Sequence, residues 1–183
     1  GVGIPSAMYH LTRYMQHNTP DMVIQAGIAG SLNDSLKLGS VYEVVSDEWL
    51  DLGIEESDGS FTHLMDTEMA DSNQYPYQNG RLQTTVNNPL PGMETVNAGT
   101  VQKALGNPST IKKIKSGNHP DLVSMEGAAF FYSMLQEKHE NFHPIRSISN
   151  KVESRNKDNW ELEKAVSSVN KYLISMLHGF LGE

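Results

Sequence analysis

The sequence contains no cysteine, so neither disulfides nor thiolate metal sites enter its stability or chemistry, which suits a cytoplasmic protein. It is also short of positive charge. Its 14 Lys and Arg against 22 Asp and Glu give a formal net charge of -8, and no basic run offers a local exception, so nucleic acid is not an expected partner. No apolar run has the length needed to span a bilayer, and no charged-then-apolar leader precedes the first helix, so neither a membrane nor a secretory role is expected. A small molecule is the expected partner. What is present suffices for one core: 183 residues, 38% of them hydrophobic, predict a single domain over 1–183 with room for a buried pocket.

Gly1 to Ile4 reads as the turn between a strand and a helix, so a strand upstream of it is expected to be missing from this sequence. Ile4, Met8, Leu11 and Met15 then recur on one face of a helix that tolerates Pro5 in its first turn and stops near Asn18. Met22 to Ala26 predicts a buried strand closed by a turn at Gly27-Ile28-Ala29-Gly30-Ser31, and Val41 to Trp49 predicts a second strand. Asp51, Glu55, Glu56 and Asp58 make an acidic loop that reads as solvated. From Thr62 to Gly92 there is no sustained period, and a stretch of that length without structure is commonly functional or mobile. Strands follow at Thr95 to Ala98, Leu122 to Ser124 and Ile145 to Ser149, with a helix from Glu126 to Lys138. A last helix carries the stripe Leu162, Val166, Val169, Leu173, Met176 and Phe180. This alternation predicts a layered α/β domain with a mixed or mainly parallel sheet, whose ligands collect at the strand ends.

Three segments could carry chemistry. In Ser124-Met125-Glu126-Gly127-Ala128-Ala129 a carboxylate stands between a buried strand and an apolar helix, either to meet a ligand or simply to complement the helix dipole. In Arg146-Ser147-Ile148-Ser149-Asn150 a strand ends in an amide, which reads alone as a loop-start residue bonded to its own backbone. His139-Glu140-Asn141-Phe142-His143 fits the spacing of a zinc-protease helix. Pro144 biases His143 toward extended geometry and no third ligand is evident, so no metal is expected.

Taken in order, several segments resemble the nucleoside phosphorylase/nucleosidase superfamily, which contains methylthioadenosine/S-adenosylhomocysteine nucleosidase and the purine nucleoside phosphorylases. The carriers are Gly1-Val2-Gly3-Ile4, Pro20-Asp21-Met22-Val23-Ile24 leading into Gly27-Ile28-Ala29-Gly30, Leu38-Gly39-Ser40-Val41, Val45-Ser46-Asp47-Glu48, and the two segments around Glu126 and Asn150. The resemblance implies a three-layer phosphorylase/hydrolase-like fold, with a central mixed sheet flanked by helices and the N-terminal strand or strands missing. It implies hydrolysis of an N-glycosidic bond without metal or organic cofactor, in a homodimer or larger assembly. Glu126 would hold the ribose hydroxyls, Met125 would pack beneath the sugar, Ile28, Ala29 and Gly30 would line the substrate site, and Gln102 would lie near the base through its backbone. The glutamate that positions the attacking water would lie upstream of Gly1.

Asn150 stands where the adenosine-cleaving members resemble one another in carrying Asp. An amide offers a donor to a 6-oxo group and an acceptor to a protonated ring nitrogen, so the expected base is a 6-oxopurine. Asp51-Leu52-Gly53-Ile54-Glu55, and Ser149-Asn150-Lys151-Val152-Glu153-Ser154-Arg155 with Trp160 shortly after, are similar to the futalosine hydrolase subfamily, which releases hypoxanthine from a menaquinone precursor. Trp160 would wall the 5-substituent and Arg155 would meet its carboxylate, unless Arg155 is a solvated loop residue. A methylthioadenosine-type nucleosidase, a phosphorylase and an inactive nucleoside-binding relic are the alternatives. Asn150 counts against the first, and the absence of Arg from the Gly27 to Ser31 turn against the second.

Overall fold

The structure is a computed structural model that describes residues 1–84, 89–116, 120–154 and 157–181. The chain runs through α1 (Ile4–Met15), β1 (Val23–Ser31), β2 (Val41–Trp49), β3 (Gly53–Glu55), β4 (Phe61–His63), β5 (Leu82–Gln83), β6 (Thr95–Thr100), α2 (Pro108–Lys115), β7 (Leu122–Ser124), α3 (Gly127–Gln136), β8 (Phe142–Lys151) and α4 (Leu162–Leu181). Six strands form one mixed sheet in the order β5-β2-β6-β7-β1-β8, and β2 also pairs with β8, so the sheet curls toward itself. β1 runs parallel to β8, and β6 runs parallel to both β2 and β7. β3 and β4 form a separate hairpin.

The alternation of side chains on β8 explains the layers. Phe142 and Ile148 enter a cluster with Phe130, Phe131 and Met134 of α3, and the inner face of α1 packs against the same cluster. Ile145 has the opposite parity and joins Val169, Leu173 and Met176 of α4. Helices therefore cover both faces. A third cluster fixes α2 to the sheet through Ile111, Ile114, Leu32 and Val123.

The structure departs from the sequence reading at several elements. β1 continues through Gly27 to Ser31 instead of turning there, because every residue from Val23 to Ser31 has a partner on β8. β8 starts at Phe142, with Pro144 opposite Gln25 and just outside the register with β2, which begins at Ile145, so the missing N–H leaves that ladder intact. The acidic loop is the β3-β4 hairpin. α2 was not evident in a Lys-rich stretch, although Asn107 caps it, its side chain accepting from the Ser109 and Thr110 N–H groups, and Pro108 opens it. α4 is rotated from the expected stripe: it buries Ala165 and Val169 and leaves Leu162, Val166 and Phe180 exposed.

Two bulges shape the strand ends. An extra residue on β2 interrupts its register with β6 between Val44 and Ser46, and an extra residue on β8, Ser149, faces the step from Ala29 to Gly30 on β1. Beyond the second bulge the Val152 N–H donates to the Ser31 carbonyl at 2.8 Å. There Lys151 Nζ donates to the carbonyls of Asn33, Asp34 and Leu36.

Candidate active site

A cavity of about 740 Å³ lies along β1 between α1 and the ends of β7 and β8. Every residue from Val23 to Gly30 lines it, which alternating side chains alone cannot do, so β1 meets the cavity edge-on as well as by one face. Among the described residues, the edge of β1 opposite β8 pairs with β7 only at Gly30 and Ser31.

At one end of the cavity β7 passes into α3. Glu126 is the N-cap residue, yet its side chain caps nothing. Two other hydroxyls take the free N–H groups of the first turn: Ser124 Oγ accepts from Gly127 N at 3.1 Å and Thr100 Oγ1 accepts from Ala128 N at 2.7 Å. Relieved of capping, the Glu126 carboxylate lines the cavity, where Oε1 accepts from the Gly3 N–H at 2.7 Å. The first-turn N–H groups of α3 are thus satisfied without the Glu126 side chain, which is left to face the cavity.

The bulge on β8 builds the opposite wall. Regular alternation would send Ser149 and Asn150 to opposite faces, but both reach the cavity. Asn150 Oδ1 accepts from Ser149 Oγ at 2.8 Å and Nδ2 donates to the Lys151 carbonyl at 3.0 Å, which fixes the orientation of the amide. One amide hydrogen and one oxygen lone pair remain for a ligand. Gly30 makes room for this arrangement, since a Cβ there would stand 2.9 Å from Val152 Cγ2 and 3.2 Å from Asn150 Nδ2. Trp160 reaches the same cavity because the Glu161 N–H is tied to the Ser149 carbonyl at 2.8 Å.

Of the residues singled out in the sequence, Ile28, Ala29, Gly30, Met125, Glu126, Asn150 and Trp160 thus share one cavity. Gln102 does not join them. It is exposed, and its N–H is already committed to Asp51 Oδ2 at 2.8 Å. Arg155 lies outside the described residues.

The sequence reading passed over two further charges. Arg146 is buried under the cavity floor, donating from Nη1 to the Gln25 and Ile145 carbonyls and from Nη2 to Gln25 Oε1. Burial works against its charge, while Asp47 and Glu126 counter that effect. Asp47 is 1% exposed, and burial pushes its carboxyl up to about 7 against the pull of Thr100 and Arg146. Asp47 stands among Glu43, Ser46 and Glu48 on β2, and Arg146 among His143, Ser147 and Ser149 on β8, so neither charge is conspicuous in the sequence.

The two histidines of the zinc-like spacing are apart in structure: His139 follows α3, whereas His143 is buried in β8 with Nδ1 2.6 Å from Glu43 Oε1. Among the described residues no group of His, Asp and Glu could hold a metal ion, and no helix is long and apolar enough to cross a membrane.

Comparison with protein-family models and with curated proteins finds no match. Comparison with solved structures finds futalosine hydrolase of Helicobacter pylori strain 26695, with a TM-score of 0.74 at 16% identity over 97% of this chain and 76% of that one. It also finds the 5'-methylthioadenosine/S-adenosylhomocysteine nucleosidase of Colwellia psychrerythraea 34H, in complex with adenine, with a TM-score of 0.72 at 20% identity over 97% of this chain and 74% of that one. The chain has the nucleosidase fold. The corresponding enzyme from Neisseria meningitidis, in complex with methylthio-immucillin-A, gives a TM-score of 0.72 at 17% identity over 98% of this chain and 78% of that one. At these identities the likeness is one of fold, and the chemistry has to be argued from the cavity. The nucleosidase fold brings the strand ends and the start of α3 together there, as the alternation of elements predicts.

Proposed function

We propose that this protein hydrolyses the N-glycosidic bond of a purine nucleoside. The observation that carries the reading is the placement of the Glu126 carboxylate and the Asn150 amide on the walls of one cavity large enough for a nucleoside. Cleavage builds positive charge on the ribose, and a carboxylate accepting hydrogen bonds from its hydroxyls stabilises that charge more than it stabilises the ground state. Met125 and the backbone of Ile28 to Gly30 flank the sugar and base.

The base is a 6-oxopurine in this reading. With its oxygen and nitrogen fixed by Ser149 and Lys151, Asn150 can donate to the 6-oxo group and accept from a protonated ring nitrogen. A mispaired buried polar group costs about 1 to 3 kcal/mol, enough to discriminate against a 6-amino base. Futalosine is the substrate that best fits Trp160 as a wall for an aromatic 5-substituent, with Arg155 for its carboxylate, and would place the enzyme in menaquinone biosynthesis. Residues 1–183 are read as one such domain. A further strand of the protein laid along the open edge of β1 would complete the sheet beside the cavity, and a second copy would close the 5-substituent pocket.

Incubation of a full-length version of the protein with futalosine, inosine and methylthioadenosine, with and without phosphate, followed by assay of free base, tests the proposal. Hypoxanthine release from futalosine without phosphate is expected. Release of adenine alone would end the reading of Asn150, strict dependence on phosphate would make the protein a phosphorylase, and no release from any of the three would end the reading as a hydrolase.

A further inference from the structure

Asp47 plays no part in the cavity itself, yet it sits directly behind the residue that does. The bulge on β2 puts it there. Before the bulge, Tyr42 and Val44 face α3. After it the parity changes, so Trp49 enters the same cluster and Asp47 points at the start of α3. A Cβ on Gly127 would stand 2.0 Å from Asp47 Oδ2, so the carboxyl rests on the bare backbone of the residue next to Glu126. Thr100 Oγ1 donates to Asp47 Oδ1 at 2.9 Å and, with its proton so committed, accepts from Ala128 N at 2.7 Å. Asp47 therefore sets the direction of a two-bond relay that ends on the first turn of α3. A second link runs through charge, since Asp47 and Glu126 both act on the buried guanidinium of Arg146.

We propose that Asp47 is a positioning residue for Glu126: through Thr100 it anchors the helix turn that aims the Glu126 carboxylate, and through Arg146 it competes with Glu126 for a shared counter-charge. The proposal rests on Glu126 being the ribose-binding group. The charged groups acting on Asp47 are Arg146 on β8 and Glu48 on its own strand. β6 contributes Thr100, β5 places Leu82 opposite it, and Oδ2 has no hydrogen-bond partner among the described residues. When Asp47 is neutral, Glu126 is the one carboxylate of the two that favours the Arg146 charge, and when Asp47 ionises near neutrality both do.

The test is a pH titration of the protein carrying ¹³C-labelled Asp and Glu carboxyls, followed by NMR, on the wild type, Asp47→Asn, Thr100→Val and Thr100→Ser. In the wild type the Glu126 carbon is expected to show an inflection at the pH where Asp47 titrates, and Asp47→Asn to abolish it. Inosine binding measured by calorimetry is expected to weaken roughly tenfold in Thr100→Val and to recover to within about threefold in Thr100→Ser, the loss of one buried hydrogen bond. A Glu126 curve unchanged by Asp47→Asn, or unaltered binding in Thr100→Val, overturns the proposal. Should the variants fail to fold, a wild-type Glu126 carbon with no inflection near the Asp47 transition overturns it as well. A wild type that shows the coupled titration but binds no inosine would instead fault the proposed function.

Discussion

The ends of β2 and β8 are built by the same device and put to different use. Each strand carries a one-residue bulge shortly before a polar side chain, and each bulge shifts the alternation of the side chains that follow it. Asn150 on β8 is half-buried at an open cavity and keeps part of its hydrogen-bonding capacity free. Asp47 on β2 is closed over by Gly127 and Thr100 and meets no solvent. The same local irregularity thus yields a group that can read a ligand where the strand end is open, and a group that can only orient its neighbours where the strand end is covered.

Substitutions at the two ends should separate these roles. The largest effect is expected from Glu126→Ala, the side chain that the closed end serves: a fall in kcat/KM of about 10² to 10³ fold with an unchanged circular dichroism spectrum, the scale of losing one preorganised charge-stabilising group. A change of less than about threefold would remove Glu126 from the chemistry. Gly127→Ala breaks the closed end itself, because the new methyl would meet Asp47 Oδ2 at 2.0 Å. Denaturant unfolding should show a loss of about 1 to 3 kcal/mol, typical of overpacking, and an unchanged midpoint would mean that Asp47 moves aside freely. Asn150→Asp sharpens the open end: the ratio of hypoxanthine to adenine release should fall by about 10 to 100 fold without loss of stability, from one mispaired group. The smallest effect is expected from Arg155→Ala, which should weaken futalosine binding about tenfold and leave inosine binding unchanged. Equal effects on both nucleosides would return Arg155 to a solvated role.

The two ends also differ in how well the sequence announces them. Glu126 and Asn150 were legible because each stands at an element boundary, where a polar residue closing a buried strand is conspicuous. The order of strands and helices was legible for the same reason, through periodicity broken by Gly and Pro. Asp47 was not, since a period of two carries no mark for an inserted residue, and strict alternation from Tyr42 and Val44 would place Asp47 on the opposite face. The continuation of β1 through Gly27 to Ser31 was hidden by residues that signal turns locally, while tertiary pairing with β8 holds them extended. Gln102 shows the converse limit, as a loop position that aligns near a site need not reach it once its N–H is held by Asp51.

The bulge on β2 has one more implication, for how this protein tolerates change in length. Deleting a single residue at Val45 would keep Asp47 and every other side chain named in the site, and composition would barely register the loss. Because the pairings of Val44 with Val96 and of Ser46 with Asn97 already skip Val45, its loss would straighten the strand and leave Asp47 opposite Ala98, on the face it occupies now.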